Sequence, residues 1–171
     1  LLADGEAVYR WTAARYPDQP LVVAGDSAGG NMTITLLARI AADSLPAPVA
    51  GVGISAWLDP DLQHRRGEPC DPFFSAAFAT KAAALCLPGA GIRPLLGTLP
   101  AIPMLLQCGA DEPIRPGNEQ LANGIVAAGG RVVVQVWEHQ PHVFQAFAPF
   151  LVEARESLAE INAFLDAVDA G

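Results

Sequence analysis

The chain has 171 residues, a length that suits one domain with a single well-buried core. Hydrophobic residues make up 51% of it and charged residues 16%, which is typical of a globular chain and excludes a disordered one. The net charge of −8 comes from acidic residues spread along the sequence, without a run of Lys or Arg, so we expect no nucleic-acid partner. No apolar stretch approaches the roughly 20 residues of a membrane-spanning helix, so we expect no membrane span.

The three cysteines, Cys70, Cys86 and Cys108, are odd in number and widely spaced. This spacing suggests neither a disulfide framework nor a zinc site, and it favours a reducing compartment, so we expect a cytoplasmic protein. The chain opens on Leu1-Leu2-Ala3-Asp4, without an initiator Met or the features of a signal peptide. We interpret this start as the middle of a longer sequence.

Hydrophobic spacing predicts helices and strands that alternate along the chain. Helices are expected at 3–16, 32–42, 118–128 and 150–168, and strands at 21–24, 49–56, 102–108 and 131–137. Strands that alternate with helices predict a mostly parallel sheet with helices on both faces. We therefore expect a single α/β domain over residues 1–171.

The segment from Asp59 to Pro100 is too long for a plain connection between two such elements. It is rich in Pro, Gly and Arg, with a helical pattern from Ser75 to Leu87. Long insertions in compact domains are often functional, so a cap or lid over an active site is our interpretation. A surface helix that pads the sheet is the alternative.

Gly25-Asp26-Ser27-Ala28-Gly29 is a G-x-S-x-G pattern at the exit of a predicted strand and the start of a predicted helix. In that setting a Ser is held on a sharp, strained turn between small neighbours, as a nucleophile. The Ala28 N–H lies at the positive end of the helix, where it can stabilise an oxyanion. The alternative is that Ser27 only caps the helix.

A carboxylate and a histidine follow in the order Ser, Asp, His. Asp111 lies just past the strand that ends near Cys108, where a triad acid must stand to orient a His. Glu112 is adjacent and remains an alternative. His142 follows the next strand by a short loop, and we expect it to be the base, with Asp111 as its acid partner.

The other two histidines have simpler interpretations. His139 lies closer to the strand end and is expected at the surface unless it replaces His142 as the base. His64 lies beside two Arg in the inserted segment and is expected to be solvated.

These motifs resemble those of the hormone-sensitive-lipase-like family of α/β-hydrolases. The nucleophile segment 25–31 is similar to the family signature, and the similar loops that follow it in order are Ser55–Asp59 after a strand, Asp71–Phe73 at the start of the cap, Gly109–Glu112 at the acid, and His142–Phe144. The resemblance implies the C-terminal portion of an α/β-hydrolase fold. The family also has an upstream His-Gly-Gly-Gly loop that completes the oxyanion hole, and this sequence contains none.

The resemblance and the residues together predict a carboxylic ester hydrolase that acts on small-molecule esters through an acyl-enzyme, without metal or cofactor. Ser27 would attack, His142 would carry the proton, and Asp111 would orient the imidazole. The alternatives are an inactive remnant, a ligand-binding protein, or a serine peptidase or amidase with the same triad. We expect self-association, or a complementing N-terminal chain that supplies the upstream loop.

Overall fold

A computed structural model describes residues 2–58, 71–73, 81–82 and 98–169. Within these residues the elements are α1 (Leu2–Arg15), β1 (Val22–Asp26), α2 (Ala28–Ala42), β2 (Ala50–Ile54), β3 (Met104–Gly109), α3 (Arg115–Ala127), β4 (Val132–Trp137), a 3-10 turn (Phe144–Phe147) and α4 (Val152–Asp169). Each predicted helix and strand in this part of the chain is present, with shifted ends. The 3-10 turn is not among the predicted elements.

The four strands form one parallel sheet in the order β1-β2-β3-β4. Its register aligns Ala24 with Val52, Val52 with Leu105, and Leu105 with Val133. Parallel strands all end at the same edge of a sheet, where ligands of open α/β folds bind. The loops after the four strands, including Ser27, Ser55, Glu112 and His142, therefore start along one edge.

The core lies around the two inner strands. Every residue of β3 is buried, which fits a strand with neighbours on both sides and helices over its faces. In α2 the buried side chains include Ile34, Leu37 and Ile40, none of which is exposed to solvent. The outer strand β1 alternates between exposed and partly buried residues instead. The loops that follow β2 and β3 thus extend from the buried centre of the domain.

The proposed cap segment, 59–100, lies outside the described residues except for 71–73, 81–82 and 98–100. The helix predicted at 75–87 is therefore described only at Lys81 and Ala82, which are helical. Asp71 is buried, while Phe73 is 61% exposed. Among the helices of the described ranges, none is long and apolar enough to cross a membrane.

Candidate active site

Ser27 lies on a sharp turn between β1 and α2. Its backbone angles, φ 51° and ψ −117°, fall in a region that residues other than Gly rarely adopt, so the strained turn expected here is present. Two backbone hydrogen bonds fix it: the Ser27 N–H donates to the Ile54 carbonyl, and the Ser27 carbonyl accepts the Trp57 N–H, each at 2.9 Å. The end of β2 thus holds the turn in place.

The glycines around Ser27 differ in how crowded they are. A Cβ on Gly25 would lie 2.3 Å from the Gly29 carbonyl oxygen, a distance that no side chain can accept. A Cβ on Gly29 would lie 4.0 Å from its nearest neighbour, an oxygen of Asp26. Of these two glycines, only Gly25 must therefore lack a side chain. Both were expected to be small so that the turn at Ser27 could be sharp.

His142 reaches Ser27 from the loop after β4. Its Nε2 lies 2.8 Å from the Ser27 Oγ. The loop is anchored immediately afterwards, because Phe144 is fully buried and its ring contacts Trp137 with centroids 5.7 Å apart. His139 is exposed, and His64 lies outside the described residues. Of the histidines that the structure describes, His142 is the one whose ring nitrogen lies within hydrogen-bond distance of Ser27.

The acid beside His142 is Glu112 and not Asp111. Glu112 Oε2 lies 2.7 Å from His142 Nδ1, and the Glu112 side chain is fully buried. Asp111 is exposed to solvent, so the expectation that it contacts His142 is wrong. The reason is a tight turn after β3, in which the Glu112 N–H donates to the Gly109 carbonyl and the Gly109 N–H donates to Glu112 Oε1. This turn directs the third residue after the strand inward and the second outward.

The sequence carries no signal that separates the two acids. The Arg115 N–H donates to the Glu112 carbonyl at 3.2 Å, so residues 112–115 form a turn that leads into α3. Side chains in such a turn do not alternate in direction as they do in a strand. The distance from the strand end, which favoured Asp111, therefore carries no information about side-chain direction.

Ser55, which sequence reasoning missed, connects the acid to the histidine loop. It follows β2, is fully buried, and has a positive φ of 45°. Its hydroxyl donates to Glu112 Oε1 at 2.7 Å and accepts the Val143 N–H at 3.1 Å. Val143 itself is left-handed, with φ 52°. Ser55 therefore fixes both the carboxylate and the residue that follows the base.

A second polar group attaches the histidine loop to the rest of the domain. The Gln145 amide donates to Ser157 Oγ of α4 at 2.9 Å and to Gln107 Oε1 of β3 at 3.1 Å. The Ser157 hydroxyl in turn donates to Gln107 Oε1 at 2.7 Å. All three side chains are buried. Through Gln145, the 3-10 turn is thus hydrogen-bonded to both the sheet and α4.

The hydrogen bonds assign the protons of the imidazole. An ionised carboxylate only accepts hydrogen bonds, so the proton on Nδ1 of His142 is the one that points to Glu112. Nε2 is then free of a proton and accepts the Ser27 hydroxyl. The Ala28 N–H belongs to the first residue of α2 and has no acceptor within that helix. The Ser27 hydroxyl, the His142 imidazole, the Glu112 carboxylate and the start of α2 thus lie together at one edge of the sheet.

The chain belongs to the α/β-hydrolase fold family, whose sequence profile matches residues 1–146. The resemblance to hormone-sensitive-lipase-like enzymes is confirmed by its relatives. The carboxylesterase/phospholipase LipF of Mycobacterium tuberculosis is 31% identical over 96% of this chain, and an acetyl-hydrolase of Streptomyces hygroscopicus is 28% identical over 95%.

Solved structures agree with this family. The crystal structure of EstE5 soaked with ethyl alcohol superposes with a TM-score of 0.87 at 27% identity, covering 99% of this chain and 61% of that one. An esterase of the bacterial hormone-sensitive lipase family gives 0.83 at 30% identity, covering 96% of this chain and 59% of that one. The chain spans 48% of LipF and 58% of the acetyl-hydrolase, or about half the length of these relatives.

Proposed function

We propose that this chain carries the catalytic residues of a carboxylic ester hydrolase, with Ser27 as nucleophile, His142 as general base and acid, and Glu112 as the acid that orients it. The observation that carries the proposal is the continuous pair of hydrogen bonds from Ser27 Oγ to His142 Nε2 and from His142 Nδ1 to Glu112 Oε2, at 2.8 and 2.7 Å. Such a nucleophile, base and orienting acid define acyl transfer by a serine hydrolase.

In the first step the Ser27 oxygen attacks the ester carbonyl carbon while Nε2 of His142 takes the hydroxyl proton. The imidazolium that forms is stabilised by the Glu112 carboxylate, which itself stays ionised. Collapse of the tetrahedral intermediate breaks the ester C–O bond, and His142 returns the proton to the departing alcohol. The acyl group is left on Ser27 as an ester.

In the second step water replaces the alcohol. His142 takes a proton from the water as it attacks the acyl carbon, and it then protonates the Ser27 oxygen as the carboxylic acid leaves. The net reaction consumes one ester and one water and yields one acid and one alcohol. Each proton transfer runs through Nε2 of His142, and no further reactant enters.

The Ala28 N–H is proposed as one donor to the oxyanion. It starts α2, so the positive end of that helix adds to its effect. Losing one such donor typically costs about 10²–10³ in turnover. With the Ala28 N–H as the single oxyanion donor, turnover is therefore expected to be slow. In the hormone-sensitive-lipase-like family, which this chain resembles, the upstream His-Gly-Gly-Gly loop is the segment that would supply a second donor.

Small-molecule esters are the proposed substrate class, because the matched relatives are a carboxylesterase/phospholipase and an acetyl-hydrolase. The test is a panel of p-nitrophenyl esters, a peptide and an anilide, given to the protein expressed with whatever residues its reading frame encodes before Leu1. We expect hydrolysis of the esters that Ser27→Ala abolishes and Asp18→Ala, an exposed control, does not change. Cleavage of the peptide or anilide with no ester turnover would contradict an esterase.

A further inference from the structure

A buried carboxylate outside the nucleophile, base and acid contacts the histidine at its backbone. Asp71 is only 3% exposed and lies in the short described stretch 71–73. Its Oδ2 accepts the N–H of His142. Burying a carboxylate is costly unless strong donors compensate, so a position like this one requires a specific partner.

The same stretch touches the histidine loop a second time. Asp71 Oδ1 accepts the Phe73 N–H at 2.7 Å, which fixes the turn that carries Phe73. The Phe73 ring then contacts the Phe147 ring of the 3-10 turn, with centroids 5.4 Å apart. Residues 71–73 are therefore attached to both ends of the segment from His142 to Phe147.

The position of the His142 imidazole depends on the position of the His142 backbone. The imidazole bonds Ser27 on one side and Glu112 on the other, so a small rotation of the His142 backbone would lengthen both contacts. Val143, the next residue, is held in a left-handed conformation by the Ser55 hydroxyl. Asp71 and Ser55 thus hold two successive N–H groups of one loop.

We propose that Asp71 is a positioning residue of the reaction, which fixes the backbone of His142 and with it the position of the imidazole. This inference rests on the proposed function, since it assigns Asp71 a part in the same site. A charge-assisted hydrogen bond is the strong kind, and its geometry is specific enough for this role.

The experiment compares Asp71→Ala with Asp71→Asn, which keeps a side-chain oxygen at the same distance from the backbone. The exposed Asp18→Ala is the control. The first measurement is the ¹H NMR signal of the His142 Nδ1 proton, assigned by its loss in His142→Gln. The second is kcat and KM for a p-nitrophenyl ester. Near-UV circular dichroism establishes that each variant is folded.

We expect Asp71→Ala to shift or broaden the Nδ1 proton signal and to lower kcat about tenfold or more, with KM nearly unchanged, since a hydrogen bond to a charged group is lost. Asp71→Asn keeps one acceptor oxygen but places its amide against the other N–H, so its kcat should lie between that of Asp71→Ala and that of the unmodified protein. If Asp71→Ala does not fold, Asp71→Asn alone carries the test, with a kcat several-fold below that of the unmodified protein.

An unchanged Nδ1 signal with unchanged kcat in the folded variants would overturn the inference, as would a loss confined to KM. The NMR arm does not require turnover. A protein that hydrolyses no ester would therefore refute the proposed function and still leave the signal of His142 to decide the role of Asp71.

Discussion

The Glu112 carboxylate accepts hydrogen bonds from three donors: the Gly109 N–H, the Ser55 hydroxyl and the His142 Nδ1 proton. Glu112→Gln replaces one oxygen by an amide that must donate, which disturbs this pattern and favours the wrong imidazole tautomer. Loss of the orienting acid costs about 10⁴ in kcat in a well-studied triad. We expect a loss of that order here, measured with p-nitrophenyl esters.

Asp111→Asn is the matched control for Glu112→Gln, one residue away and with the same change of charge. Asp111 is exposed, so we expect less than a twofold change in kcat. A large loss at Asp111 together with a small one at Glu112 would show that the orienting acid is Asp111 after all.

Ser55→Ala removes a hydroxyl that bonds both Glu112 and the Val143 N–H. Hydrogen bonds to charged groups contribute about 1.5–3 kcal/mol. We therefore expect kcat to fall roughly tenfold or more, and the unfolding free energy to fall by about 1.5–3 kcal/mol. Ser44→Ala is the control, because Ser44 also has a positive φ, of 52°, but is exposed. Equal effects of the two changes on kcat would mean that backbone strain, and not the hydroxyl, matters.

Cys108 is buried in β3, and burial, followed by the nearby Glu112 charge, raises the pKa of its thiol from 9.0 to about 12. The thiolate is the reactive form, so we expect iodoacetamide at pH 8 to modify Cys108 only after unfolding, as followed by peptide mass spectrometry. Rapid labelling of Cys108 in the native protein would contradict this expectation.

The raised pKa of Cys108 also affects stability. Because the pKa of the thiol is higher in the folded state, the thiol stabilises the fold fully below about pH 9 and loses that effect as the pH rises towards about 12.

At the residue scale the sequence identified the positions that a motif or a chain order defines. Ser27 stands in G-x-S-x-G and His142 follows the last strand, and both meet in the structure. The choice between Asp111 and Glu112 depended on side-chain direction within a turn, and Ser55 and Asp71 depend on contacts across 57 and 71 positions of the chain. Spacing along a sequence does not encode such contacts.

The turn between β1 and α2 carries Ser27 and brings the backbone of Gly25 close to that of Gly29. Gly25→Ala would place a Cβ 2.3 Å from the Gly29 carbonyl, so we expect a loss of about 3 kcal/mol or more in unfolding free energy by urea denaturation. Gly29→Ala is the matched change in the same motif. Its Cβ is uncrowded and Ala favours helices, so we expect it to be neutral or slightly stabilising.

If Gly25→Ala and Gly29→Ala destabilise the protein equally, the close approach of the two backbones at this turn is not what the motif requires.

The elements themselves were predictable because apolar residues recur with strand or helix spacing, and tertiary packing decided the details. In α4 the apolar residues recur at helical spacing and include Leu158, yet Leu158 is 37% exposed and Ser157 is fully buried. Ser157 turns inward because its hydroxyl and carbonyl bond Gln107 of β3. A buried polar group of this kind breaks the hydrophobic pattern, and the partner that satisfies it lies 50 residues away.

At the scale of the whole molecule, the outer strand β1 bears on association. Within the described residues it pairs only with β2, and Val22 on it is 41% exposed. Exposed strand edges pair with other chains, so we expect the isolated 171-residue chain to self-associate in light scattering. A second chain that pairs with β1 should suppress this association, whereas a monodisperse monomer of the isolated chain would contradict it.

The proposed mechanism requires that Ser27 becomes acylated with the help of His142 and Glu112. The most direct measurement is the intact mass of the protein quenched in acid shortly after mixing with p-nitrophenyl butyrate, followed by peptide mapping. We expect one added butyryl group on the peptide that contains Ser27, with a rate of acylation that falls by orders of magnitude in Glu112→Gln and is unchanged in Asp111→Asn. Ester hydrolysis without an adduct in any variant, or an adduct on another residue that persists in Ser27→Ala, would contradict it.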